Sequence, residues 1–185
     1  MASTVDVSGS VRFDLQSGTV HLGDDEKGVV VPAAALAALV KSAPFDARAQ
    51  VGRDLGAHLG RGVVRRAGGG KALLEADLDH VATLLAAELA VAGLGTCNLE
   101  RWGRALVVHV ADSPLAGSSD FVAHLVEGAF SAATGRALAC VKLSEDGGVR
   151  VLVASEGTAS RVRDWLEHGT SYADALVRLQ SKGGS

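Results

Sequence analysis

Apolar and polar positions alternate at the start of the chain and only later cluster at helical spacing. Val11, Phe13 and Leu15 are apolar while Arg12, Asp14 and Gln16 are polar, the period of a half-buried strand. Ser17-Gly18 turns this strand and Thr19-Val20-His21-Leu22 returns. After the polar turn Gly23–Gly28, the run Gly28-Val-Val-Val31 predicts a third strand, so an N-terminal β meander is expected. The period then changes. Pro32 suits a first helical turn and Ala33–Lys41 favours helix. Pro44 starts a second helix reaching about Arg66, with Val51, Leu55, Leu59 and Val63 at four-residue spacing. Gly68-Gly-Gly70 should end it. Leu74, Leu78, Val81, Leu84, Leu85 and Leu89 predict one helix over about 73–92, closed by Gly93 and Gly95.

In the second half, Thr96–Trp102 and Ala105–Ala111 read as strands joined at Gly103-Arg104 by a tight hairpin, and Asp112-Ser-Pro114 breaks the second. Ser118 or Ser119 caps a helix through about Thr134, and Gly135 stops it. A second hairpin, Leu138–Ser144 with Val149–Ser155, turns on Glu145–Gly148. Two short helices follow, about 159–168 and 171–179, with Ser171 and Asp174 at capping-box spacing. The tail Ser181–Ser185 is expected to fray. Helices and strands come in blocks, with no βαβ alternation and no internal repeat. The fold class is therefore α+β: an antiparallel sheet of hairpins with helices packed on one side, plus the N-terminal meander and two C-terminal helices.

A length of 185 residues predicts a single domain, 1–185. Hydrophobic residues at 48%, charged residues at 21% and a mean hydropathy of +0.23 exclude a disordered chain. The net charge of −3 and pI near 6.0 leave no basic surplus for nucleic acid, so no such partner is expected. The longest apolar run, Val29–Val40, contains a proline and falls short of the roughly 20 residues of a membrane span. Cys97 and Cys140 cannot make a disulfide framework, and no signal peptide precedes the first strand, so a cytoplasmic setting is expected. Aromatic residues make up only 4%, so the core must rely on many small contacts and close backbone approach.

Gly52, Gly56 and Gly60 fall at i, i+4 and i+8 on the second helix, where each costs about 1 kcal/mol relative to alanine. Close approach of another helix explains the stripe, and that helix belongs either to the same chain or to a second subunit. Gly68-Gly-Gly-Lys71 is not a phosphate loop, because Ala72 stands where Ser or Thr should hold magnesium and Arg65 where the first glycine should be. Gly93-Leu-Gly95 opens a strand, whereas a dinucleotide fingerprint must open a helix. His58 with Asp54, His80 with Asp77 and His124 with Glu127 make no three-ligand metal set, and no Cys-x-x-Cys pair exists. His109, on one face with Val107, is either a tucked core histidine or a polar group in a pocket. No Gly-x-Ser-x-Gly elbow occurs, and Ser113, Ser118 and Ser119 read as a turn and a cap. No catalytic, cofactor or metal residue is assigned, and a non-enzymatic chain is expected.

The order of elements over 51–154 carries a family resemblance. Val51-Gly-Arg-Asp-Leu-Gly-Ala-His-Leu-Gly60 precedes a long amphipathic helix. Gly93-Leu-Gly-Thr-Cys-Asn-Leu-Glu-Arg-Trp102, a strand ending in Asp112-Ser-Pro-Leu115, a helix with Glu127-Gly-Ala-Phe130 and a final hairpin follow. This resembles the 4-vinyl-reductase-type domain superfamily, including the TRAPP vesicle-tethering subunits, and more distantly the bacterial cellulose-synthase D subunit. Residues 1–43 and 155–185 flank that core as additions suited to covering an edge or binding a partner. The resemblance implies a non-catalytic domain that self-associates through its helices, in some members holding a fatty acyl chain or another small hydrophobic molecule between helix and sheet. The cysteine-rich C-terminal pattern of some bacterial members is missing from Val149–Ala154, and neither cysteine lies on the first helices, so no ligand-binding residue is carried over. The leading expectation is a self-associating scaffold or adaptor, a homodimer or larger, within a protein assembly. The alternative is a sensor of a small hydrophobic ligand, with His109 as its polar anchor.

Overall fold

Val107 and Val108 are neighbours on one strand, and both are buried, at 1% and 0% exposure. Successive strand residues point to opposite faces. The sheet that contains them must therefore be covered on both sides.

The computed structural model describes residues 7–23, 26–103 and 105–181. Its N-terminal part holds β1 (Val11–Asp14), β2 (Thr19–Leu22), β3 (Glu26–Gly28), α1 (Ala33–Ser42), α2 (Phe45–Arg66), α3 (Gly70–Glu75) and α4 (Leu78–Val91). There follow β4 (Thr96–Trp102), β5 (Ala105–Ala111), α5 (Ser119–Thr134), β6 (Ala139–Ser144), β7 (Val149–Ala154), α6 (Glu156–Glu167) and α7 (Tyr172–Ser181). β1, β2 and β3 form the expected antiparallel meander, and β4-β5-β7-β6 form a four-stranded antiparallel sheet. The α+β class, the two hairpins, the meander and the two C-terminal helices are thus as the sequence predicts. Arg104 in the first hairpin, Asp24 and Asp25 in the meander turn and the tail beyond Ser181 lie outside the described residues.

The larger helices share one face, where Val108, Val110, Val149 and Val151 meet Leu59, Val63, Leu84, Leu89, Phe121, Leu125 and Val126. The C-terminal helices take the opposite face rather than an edge. Ala159, Val162, Ala175 and Leu176 pack there on Val107, Ala139, Val141 and Leu152. This two-sided cover explains the nearly unbroken apolar run Leu106–Val110.

Two elements differ from expectation. The helix predicted over 73–92 is broken: Ala76 is extended at ψ 149°, and the Asp77 carboxylate accepts a hydrogen bond from the His80 N–H at 2.7 Å. A side-chain cap in mid-run offers the backbone a helix start that the apolar spacing conceals. Leu74, counted in the stripe, is 63% exposed as a result. The third meander strand sits earlier than predicted, with Val20 opposite Gly28 and Leu22 opposite Glu26. Val29, Val30 and Val31 continue outside it without a pairing partner strand and remain exposed.

The glycine stripe of α2 meets α5 of the same chain. A Cβ at Gly56 would fall on the Leu125 carbonyl, and one at Gly60 on the Ala129 carbonyl, both far inside van der Waals contact. Gly128 of α5 repeats the arrangement in reverse against the Arg53 carbonyl. Backbone thus packs directly on backbone. At the end of α2, Arg66 pairs with buried Glu88 of α4 at 2.5 Å, and the same guanidinium donates to Ser10 Oγ just before β1, tying the start of the meander to the helices.

Gly56→Ala should therefore lower the unfolding free energy by about 2 kcal/mol or more, since the obstructing atoms belong to a backbone that cannot step aside. Gly157→Ala on α6, where nothing lies within 4 Å, serves as the control and should be neutral or stabilising. Urea unfolding of both variants decides it; equal midpoints for Gly56→Ala and the parent chain would refute the packing role.

Candidate functional site

Along β5 and β7, the side chains facing α6 and α7 run from large to small. Val107 and Leu152 are buried there, but Ala105 and Ala154 take the next positions on that face. Two alanines leave room where the neighbouring rows fill it. The space is a half-open cleft of about 320 Å3, lined by Ala105, Leu152–Ala154, Ser155, Thr158, Arg161, Trp165, Leu179 and Gln180. That volume lies at the lower end of the roughly 300–1,000 Å3 of small-molecule sites.

Thr158, Arg161 and Trp165 stand three and four residues apart and so line one flank of α6. Ala159 and Val162, on the adjacent flank, anchor the helix to the sheet. Leu179 and Gln180, in the last turn of α7, form the opposing wall. The floor is aliphatic, and the rim carries two hydroxyls, an amide and one cation. Arg161 donates to Thr158 Oγ1 at 3.3 Å and has no carboxylate partner among the described residues. The Arg178 guanidinium lies 5.9 Å from the centre of the Trp165 ring, which braces that ring from α7.

The residues singled out from sequence fall elsewhere. Gly52, Gly56 and Gly60 lie in the α2–α5 contact, which settles the open choice of neighbour in favour of the same chain. His109 shares the Val107 face as read, but it sits near the β6–β7 turn, where its Nε2 is 2.9 Å from the Gly147 carbonyl oxygen, and it does not line the cleft. His58 pairs with Glu26 of β3 at 3.1 Å rather than with Asp54, and His124 approaches Glu127 at 3.7 Å. Among the described residues no group of three metal-ligating side chains converges. Cys97 and Cys140 are buried on the two edge strands of the sheet; burial pushes the Cys97 thiol up to about 12 and Cys140 upward as well, the nearby Glu127 adding to the latter. Both are poor nucleophiles in the folded chain.

One polar cluster has the outline of catalytic chemistry. Lys142 Nζ is 3.1 Å from Ser119 Oγ, while the hydroxyl donates to Glu145 at 2.7 Å. Burial works to lower the Lys142 pKa, but the Glu145 hydrogen bond and the charges of Asp120 and Glu145 outweigh it and leave it raised. A lysine held as a cation cannot take the serine proton. The cluster instead fastens the β6–β7 hairpin to the start of α5. The cleft itself escaped the sequence reading, although the 158–161–165 spacing and the alanines of two otherwise bulky strands were its visible signs.

No family model matches the chain, and no curated protein does. Among solved structures, the fold is similar to the crystal structure of the phenol-responsive sensory domain of the transcription activator PoxR with phenol. That likeness has a TM-score of 0.56 and 19% sequence identity, covering 80% of this chain and 86% of that one. Among the described residues, no helix is long and apolar enough to cross a membrane.

Glu127 connects α5 to the sheet edge and gives a pH signature. Desolvation alone would raise its pKa, but hydrogen bonding and charge from His124, the Cys140 N–H and Arg53 more than offset that and hold the carboxyl below its ordinary range. A depressed acid contributes stability above its unfolded pKa and loses it as pH falls through the folded value. Melting temperature followed from about pH 6 to about pH 3 should therefore fall less steeply in Glu127→Gln than in the parent chain. Parallel curves would show that this carboxylate contributes nothing to acid sensitivity.

Proposed function

We propose that this chain is a small-molecule sensory module rather than an enzyme. The observation that carries the reading is the fold, which it shares with a domain whose function is to respond to phenol. The cleft between α6, α7 and the sheet supports it, because it offers a concave site of ligand size with an aliphatic floor and a polar rim. Kinship with the 4-vinyl-reductase-type domains belongs to the same proposal and rests on the order of elements and motifs over 51–154.

Binding can be followed through Trp165 fluorescence in a Trp102→Phe background. Trp102 lies outside the cleft, with its indole donating to Glu100. A panel of single-ring aromatic compounds should include members that shift Trp165 emission saturably. Ala154→Leu, which fills the floor, should abolish that response while the fold persists. A flat response across the panel, or an Ala154→Leu variant that still titrates, would remove the cleft as the sensory site.

A second reading, self-association, is favoured by a different observation. No residue of β1, β2 or β3 is buried, and none belongs to either core. Phe13, Leu15, Val29, Val30, Val31 and Leu39 are 49–90% exposed, the kind of uncovered apolar surface that marks a protein interface. The occupant proposed for this surface is a second copy of the chain, pairing meander to meander. Sedimentation should show a dimer that dissociates in Phe13→Glu/Leu15→Glu. A parent chain that sediments as a monomer at high concentration would exclude it.

A further inference from the structure

We infer that the α6–α7 cleft takes a small amphipathic monocarboxylate, with its apolar body on the alanine floor beside Trp165 and its carboxylate on Arg161. This rests on the sensory reading and names the ligand class for that same site.

The placement of one cation carries it. Four arginines outside the cleft have carboxylate partners: Arg66 with Glu88 at 2.5 Å, Arg163 with Glu156 at 3.1 Å, Arg150 with Glu100 at 3.5 Å and Arg53 with Glu127 at 3.7 Å. Arg161 lines the cleft with no acid partner among the described residues, and none of the described lining residues carries a carboxylate. A guanidinium presents a planar fork of donors that matches a carboxylate edge and is not replaced by a neutral group. Thr158 and Ser155 add hydroxyls on the same side, and Gln180 faces them with an amide. A dianion would leave one charge against the aliphatic floor of Leu152, Val153 and Ala154, which is unfavourable. A wholly neutral apolar ligand would leave the guanidinium unused at the rim. The volume of about 320 Å3 admits one ring or a short branched chain in addition to the carboxylate.

Phenylacetate and phenylacetamide form a matched pair that differs in charge and hardly in shape. Calorimetric titration of each should show the acid binding about tenfold more tightly, a moderate factor because Arg161 is solvent-exposed. Raising the salt concentration should weaken the acid and leave the amide unchanged. Arg161→Gln should erase the preference while keeping the affinity for the amide, and Arg161→Lys should retain part of it. An unchanged melting temperature in both variants excludes a folding defect at this exposed position. Equal affinity of acid and amide for the parent chain, or a preference that survives Arg161→Gln, would overturn the carboxylate assignment and leave the sensory reading standing. Failure of both compounds to bind would overturn the assignment and count against the sensory reading as well.

Discussion

The contact between α2 and α5 is the constraint on which the rest of the structure depends. Gly56 and Gly60 let the backbone of one helix lie on the carbonyls of the other, and Gly128 returns the contact from the opposite side. Each glycine weakens its helix by about 1 kcal/mol, so the arrangement persists only because close approach recovers more than that in packing. With few aromatic side chains to span a gap, a wider separation would leave voids that Val, Leu and Ala cannot fill. α5 is thereby held against β6 and β7, with Phe121, Leu125 and Val126 at 3% exposure or less. The Arg66–Glu88 pair works at the end of the same helix, where Gly62 clears the space that the carboxylate occupies.

The sheet divides two tasks between its faces. On the α2–α5 side the aliphatic residues are large and closely packed. On the α6–α7 side the contact depends on alanine: Ala139, Ala159 and Ala175 bring helix and strand together, and Ala105 and Ala154 stop short of filling the end. Small residues thus have two opposite effects within one layer. Where helix meets strand they tighten the contact. At the sheet end, where Ala105 and Ala154 face α6 and α7, the same residue type opens a cleft.

This ambiguity accounts for what the sequence disclosed and what it withheld. Both hairpins of the main sheet were legible because apolar strand runs are interrupted by Gly103, Gly147 and Gly148, all at positive φ. The Ser171–Asp174 cap was legible because its spacing is local, and the Asp174 N–H does donate to Ser171 Oγ at 3.1 Å. The glycine stripe declared a close neighbour but not which helix, because residue 56 and residue 125 are joined only by tertiary structure. The spacing of Asp77 and His80 shows that they make no metal set but not what the carboxylate does, which is to cap the His80 backbone and break the helix. The cleft was hidden for a similar reason: it is a missing volume, and an alanine that leaves space looks the same in sequence as one that closes it.

Arg161 shows how such a site becomes visible only in three dimensions. Its sequence neighbourhood, Thr158-Ala-Ser-Arg-Val-Arg-Asp164, contains charges of both signs and reads as an ordinary solvated helix face. Folding separates them. Arg163 turns back to Glu156, whereas Arg161, two residues earlier and so on another side of the helix, is carried to the rim of an apolar cleft. An exposed arginine in open solvent needs no explanation, because water satisfies it. One placed over an aliphatic floor, beside an aromatic ring that a second arginine braces, is where an anionic group of a bound ligand would find its partner. The small-residue composition that made the α2–α5 contact necessary therefore also leaves the recess over which that cation sits.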